Sequence, residues 1–157
     1  ILPSSVMLAN TEVRLAGEDG NTDKLKAALN IVKEAFDMIF IDCMPSSMSL
    51  VTISAFVAAD YILIPAQTKV QSNLALNMFL STVEGIKELK NPELSVLGII
   101  GTLFNSRTNE DKEVLKELQE KYDVLGVINQ TATGTKGIKE GKVAVCNGKT
   151  PIAIAYK

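Results

Sequence analysis

Histidine and tryptophan are absent from the 157 residues, cysteine occurs only twice, and aromatic residues make up 5%. Without histidine there is no imidazole to serve as a general base near neutral pH or to ligate zinc, which removes Ser-His-Asp, Cys-His and Cys/His metal chemistry. Cys43 and Cys146 lie far apart and neither belongs to a C-x-x-C pattern, so no redox pair is encoded. No apolar run approaches the roughly 18–20 residues that span a bilayer, and no basic stretch precedes an apolar one. No membrane association and a cytoplasmic address are therefore expected. An initiator methionine is lacking as well: the chain opens on Ile1, which suggests a piece of a longer protein.

What is present is a core. Hydrophobic residues make up 46%, and the length suits one domain of about 100–200 residues, expected here over 1–157. Net charge is −2 but unevenly spread: residues 1–123 hold 11 Lys/Arg against 17 Asp/Glu, whereas residues 124–157 hold five lysines against Glu140 alone. Lys136, Lys139, Lys142 and Lys149 form a basic end that reads either as a solvated face or as contacts to DNA phosphates.

Short runs rich in Ile, Val and aromatics recur at Met38–Ile41, Tyr61–Pro65, Val96–Phe104 and Val124–Ile128. Each is too short for a helix and reads as a strand buried on both faces. Helical spacing separates them: Leu25, Ala28, Leu29, Val32 and Phe36 come after an Asn21/Thr22 cap. Leu74 to Leu89 stop at Asn91-Pro92, and Val114, Leu115, Leu118 and Tyr122 come after a Thr108-x-x-Asp111 capping box. This β/α alternation predicts an α/β fold, a mostly parallel sheet with helices on both faces.

In such folds ligands gather beyond the carboxyl ends of the strands. Asp42 ends the Met38–Ile41 run, where its carboxylate is either a polar stop or a partner of magnesium and phosphate. Pro45 stiffens the next turn, and Ser46 or Ser47 can cap a helix beginning near Met48. Further exits are Pro65-Ala66-Gln67, Asn129-Gln130-Thr131 and Asn105-Ser106-Arg107-Thr108, the last of which brings together an amide, a hydroxyl and a guanidinium. A carboxamide donates and accepts at once, which suits the N6/N7 edge of adenine, although Asn105 and Thr108 also fit an ordinary helix cap. Cys43 reads as a small buried side chain in preference to a reactive thiol. A phosphate loop of the form G-x-x-x-x-G-K-[ST] is not found: Gly148-Lys149-Thr150 has Val143 where the first glycine belongs, and Pro151 comes directly after it.

The series "ILPSS…LAGED", "FDMIFIDCMPSSMSLVTISAFVAADYILIPAQ", "LKNPELSVLGIIGTLFNSRTNEDKEVLKEL" and "NGKTPI" resembles the ParA/Soj-type partition ATPases almost end to end. The resemblance implies a P-loop NTPase-like fold and an ATPase of chromosome or plasmid partitioning. It would use ATP/ADP and magnesium, form a nucleotide-dependent homodimer, bind DNA non-specifically at the nucleoid and answer to a ParB-type centromere-binding protein. On the family's I-I-D-x-P-P-S strand end, Asp42, Pro45 and Ser46 match, which implies a Walker B or switch II role with Asp42 near the magnesium and the attacking water. Asn105 and Arg107 match the family's (D/N)-S-R-T strand end, which implies the adenine side of the site. Departures are Lys69, where the family's P-x-Q-x-E carries an acid, and Ile128-Asn129-Gln130-Thr131, where it carries I-P-R-N. In the family a K-G-G-x-G-K-[ST] loop precedes the segment corresponding to "ILPSS", so this chain alone is expected to be inactive. Two alternatives are a non-enzymatic interaction module and a MinD-type relative, for which "NGKTPIAIAYK" is short and weakly basic as a membrane helix.

Overall fold

The structure is a computed structural model that describes residues 8–43 and 49–130. Among the described residues, five helices and three strands occur in the order α1 (Leu8–Leu15), α2 (Lys24–Val32), α3 (Leu50–Ala58), β1 (Tyr61–Gln67), α4 (Val70–Leu89), β2 (Ser95–Phe104), α5 (Asn109–Lys121) and β3 (Val124–Asn129). A short 3-10 turn, Lys33–Ala35, extends α2. The strands form one sheet ordered β1-β2-β3. At the start of β1 and β2 the Ser95 N–H donates to the Asp60 carbonyl, and just past β1 the Thr68 N–H donates to the Thr102 carbonyl, near the far end of β2. The two strands therefore run parallel, as β2 and β3 do, and the expected α/β class with a parallel sheet is found.

The chain divides into two compact units, residues 1–62 with 82–95 and residues 63–81 with 96–157. In the first unit the core is built by Ala55, Phe56, Val57, Ile62, Val83, Ile86 and Leu94. Helix α3 starts at Ser49, whose hydroxyl accepts the Thr52 N–H at 3.3 Å. The expected cap at Ser46 or Ser47 lies outside the described residues, and the helix, expected to begin near Met48, begins at Leu50. Its far end is closed by Asn91, whose amide donates to the carbonyls of Phe56 (2.9 Å) and Ala59 (2.7 Å). Asn91 thus does more than stop α4 ahead of a proline: it satisfies carbonyls that the last turn of α3 leaves without helical partners. Helix α2 buries none of its residues, and its cap position is Asp23 in place of Asn21 or Thr22.

In the second unit Ile64, Ala66, Leu76, Ile99, Val114 and Leu118 are buried. Helix α5 turns Asp111, Val114 and Leu118 inward at spacings of three and four, and Glu110 and Lys121 lie at the ends that the helix dipole favours. The Tyr122 hydroxyl donates to Asn77 Oδ1 at 2.8 Å, tying the end of α5 to α4. Strand β2 is irregular in a way that sets up its exit. Between Gly101 and Phe104 it advances three residues while β3 advances two, from Val127 to Asn129. Leu103, at φ 54°, lies within that bulge. A bulge of this kind re-aims the chain beyond it, here Asn105 to Thr108.

Two strand expectations need correction. Residues 38–43 form no strand and have no sheet partner among the described residues, and Met38 (67%) and Phe40 (84%) are exposed. β-Branched and aromatic composition makes a strand only where a neighbour completes the backbone ladder, and none is present there among the described residues. The strands are also not buried on both faces. β1 alternates, with Ile62, Ile64 and Ala66 inward and Tyr61, Leu63, Pro65 and Gln67 exposed, and no residue of β3 is fully buried. The "ILPSS" segment lies outside the described residues.

Candidate functional site

At the exits of β2 and β3, Phe104, Asn105, Ser106, Arg107, Asn129 and Gln130 line one groove. The two exits are joined by the backbone, since the Gln130 N–H donates to the Phe104 carbonyl at 2.9 Å. Asn105 opens an Asx turn, its Oδ1 accepting the Arg107 N–H at 3.1 Å. Its carbonyl accepts the N–H of Thr108 at 3.1 Å, and the Thr108 hydroxyl, whose single proton is shared with Asp111, lies 3.0 Å from it. The groove is therefore a polar rim of three carboxamides, a hydroxyl and a guanidinium around a half-buried Phe104 ring, with no carboxylate in its lining. That set can hydrogen-bond the edge of a heteroaromatic base and tolerates negative charge nearby.

Beneath the loop lies Asp111, which is 0% exposed. Its Oδ2 accepts the Thr68 hydroxyl and the Asn105 N–H, each at 2.9 Å. Its Oδ1 accepts the Thr108 hydroxyl at 2.7 Å and pairs with the Lys69 ammonium. The Lys69 ammonium above all, then the Thr108 hydroxyl and the Asn105 N–H, hold this carboxyl far below the usual carboxylate range. Reciprocally, the hydrogen bond to Asp111 raises Lys69, so the pair is fully ionised at neutral pH. The T-x-x-D spacing predicted a capping box, but no side-chain cap bond forms at Thr108. The carboxylate is drawn instead to the exits of β1 and β2.

The structure brings only some of the sequence-predicted residues together. Asn105 and Arg107 meet in the groove, joined by Asn129 and Gln130, which the sequence marked as a strand exit and as a departure from a family pattern but not as site residues. Asp42 belongs to the other unit and is exposed. Magnesium commonly takes one or two carboxylates together with phosphate oxygens and water. Asp42 can supply one such ligand, and no group of three or more metal-ligating side chains occurs among the described residues. Cys43 is half-buried, and burial first, then the Asp42 charge, raises its thiol, which fits the unreactive reading. Pro45, Ser46, Lys136, Lys139, Lys142 and Lys149 lie outside the described residues. Among the described residues no helix is long and apolar enough to cross a membrane.

Comparison with known proteins places the chain in a family. A family model described as "AAA domain" matches residues 1–96. An uncharacterized protein of Methanocaldococcus jannaschii is 37% identical over 99% of this chain and 62% of its own length. The sporulation initiation inhibitor protein Soj of Bacillus subtilis is 33% identical over 78% of this chain and 48% of its own. The chromosome partitioning protein ParA of Myxococcus xanthus is 34% identical over 76% and 42%. The chain thus spans about half the length of the curated relatives it matches. Among solved structures, cobyrinic acid a,c-diamide synthase from Mycobacterium smegmatis with bound ADP and magnesium superposes with a TM-score of 0.79, at 29% identity over 99% of this chain and 57% of that one. A plasmid partition protein from Borrelia burgdorferi gives 0.71, at 26% identity over 88% and 56%. The fold is P-loop NTPase-like, and the chain belongs to the AAA domain family as a relative of the ParA/Soj-type partition ATPases.

Proposed function

We propose that the groove at the exits of β2 and β3 is the adenine side of an ATP/ADP site in a DNA-segregation ATPase. The observation that carries this reading is the meeting of Asn105 and Arg107 with Asn129 and Gln130 in one groove. Asn105 reads the base edge, and the Arg107 guanidinium can stack on a base or attract phosphate. Asp42, with Pro45 and Ser46, matches a Walker B-like sequence that in the intact protein lies near magnesium and orients the attacking water. Phosphoryl transfer rests on positioning and charge neutralisation. A glycine-rich loop and its lysine are not in this sequence, so hydrolysis by this polypeptide alone is negligible. The intact protein acts in the cytoplasm as a nucleotide-dependent homodimer, holds DNA through Lys136, Lys139, Lys142 and Lys149, and answers to a ParB-type partner. The name of the Myxococcus xanthus relative, a chromosome partitioning protein, supports the segregation part of that role.

A non-enzymatic interaction module is the second reading, favoured by the exposed row Phe36, Met38, Ile39, Phe40 and Ile41, since contiguous exposed apolar side chains mark contact surfaces. Calorimetric titration with ATP and with adenosine, with and without magnesium, separates the two. If only the base is gripped, both ligands bind with similar millimolar affinity and magnesium changes neither. Micromolar, magnesium-dependent ATP binding, or release of phosphate, contradicts the inactivity of this chain; no response to either ligand favours the interaction module.

A further inference from the structure

We propose that Asp111 and Lys69 form the positioning element of the groove: a buried ion pair that holds Asn105 in its base-reading orientation while keeping negative charge away from the ligand. This rests on the reading of the groove as a nucleotide-base site. Burying a carboxylate is costly unless every lone pair finds a donor. Asp111 finds four, and they come from the β1 exit (Thr68, Lys69), the β2 exit (Asn105) and the residue before α5 (Thr108). None of these is an N–H of α5 itself, so capping the helix does not explain the arrangement.

The consequence falls on Asn105. Its N–H is held by Asp111, its carbonyl by Thr108, and its Oδ1 by the Arg107 N–H. With the backbone fixed on both sides, the Nδ2 amide and the second lone pair of Oδ1 become a pre-set donor and acceptor, the pair the N6/N7 edge of adenine requires and the two acceptors of guanine do not match. Lys69 has a separate task. It neutralises a carboxylate that lies one hydrogen bond from the groove-lining loop, where an uncompensated negative charge would repel a nucleotide phosphate. The two residues should therefore have distinguishable effects, one on base recognition and the other on tolerance of ligand charge.

The test is an NMR titration of isotopically labelled chain with adenosine, AMP and guanosine, comparing wild type with Asp111→Asn, Lys69→Met and Lys69→Arg. Asp111→Asn is expected to weaken adenosine about tenfold, as loss of a charge-assisted hydrogen bond would, and to bring the adenosine-to-guanosine preference towards one. Lys69→Met is expected to weaken AMP more than adenosine, and Lys69→Arg to retain both affinities. A merely structural pair would lower stability without changing either ratio. Unchanged preference in Asp111→Asn, or an unchanged AMP-to-adenosine ratio in Lys69→Met, overturns the proposal while leaving the base-site reading intact. Absence of any adenosine response in the wild type sinks the base-site reading, and the proposal with it. If Asp111→Asn fails to fold, the Lys69 variants, altered at a partly exposed side chain, still decide.

Discussion

Gly98→Ala is expected to cost about 3 kcal/mol or more in unfolding free energy, the scale of a backbone clash combined with a strained conformation. Gly98 has a φ of +153°, where L side chains are rarely found, and a Cβ there would lie 2.7 Å from Leu125 Cγ and 2.9 Å from the Asp123 carbonyl oxygen. The leucine side chain is half exposed and can turn aside. The carbonyl cannot, because it accepts the Ile99 N–H at 2.8 Å and so begins the β2–β3 ladder. Relieving the clash breaks that bond at the point where the register already shifts, between Ile99 and Ile100. Gly126→Ala in β3 is the matching control, since a Cβ there meets nothing within 4 Å, and its change should stay within about 0.5 kcal/mol. Urea denaturation monitored by far-UV circular dichroism measures both. Equal midpoints for the two variants would show that Gly98 is not needed for the close approach.

Asn91→Ala should cost about 2–4 kcal/mol, because it strands acceptors as well as removing donors. Asn91 is 6% exposed, and its amide serves two carbonyls, those of Phe56 and Ala59, at the end of α3. Asparagine is well suited to this place: its carbonyl accepts the Leu94 N–H and its own N–H reaches the Ile86 carbonyl, so backbone and side chain work in one turn. Asn91→Asp should be no better than alanine, since it replaces the NH2 donor by an anion facing two carbonyl oxygens. The same denaturation experiment reads the effect. A cost below about 0.5 kcal/mol, the usual surface value, would mean that water replaces the amide at both carbonyls.

The elements legible in the sequence are those whose signals are local. α4 and α5 are marked by apolar spacing and by Asn91-Pro92 and Thr108, and β1, β2 and β3 by short apolar runs bounded by polar exits; the structure extends these strands by one or two residues. Met38–Ile41 carries the same composition and forms no strand, because a ladder needs two adjacent segments and only one is present among the described residues. Helix α1, LANTEVRL, is amphipathic but only eight residues long, about two turns, too short for its spacing to stand out. Asn105 and Arg107 were identifiable from their place at a strand exit, and Asn129 and Gln130 from theirs, but their common groove depends on the β2–β3 register. Asp111 was visible only as a capping residue. Its actual partners Thr68 and Lys69 lie 43 and 42 residues away, and no spacing rule reaches that far.

That the β2 and β3 exits form a base-binding groove is tested most directly by mapping adenosine binding on the amide spectrum of the labelled wild-type chain. Shifts are expected to concentrate at residues 104–107 and at 129 and 130, to grow over a millimolar titration and to be weaker with guanosine. A response confined to other residues, or none at these six while the chain remains folded, would contradict the base-binding groove.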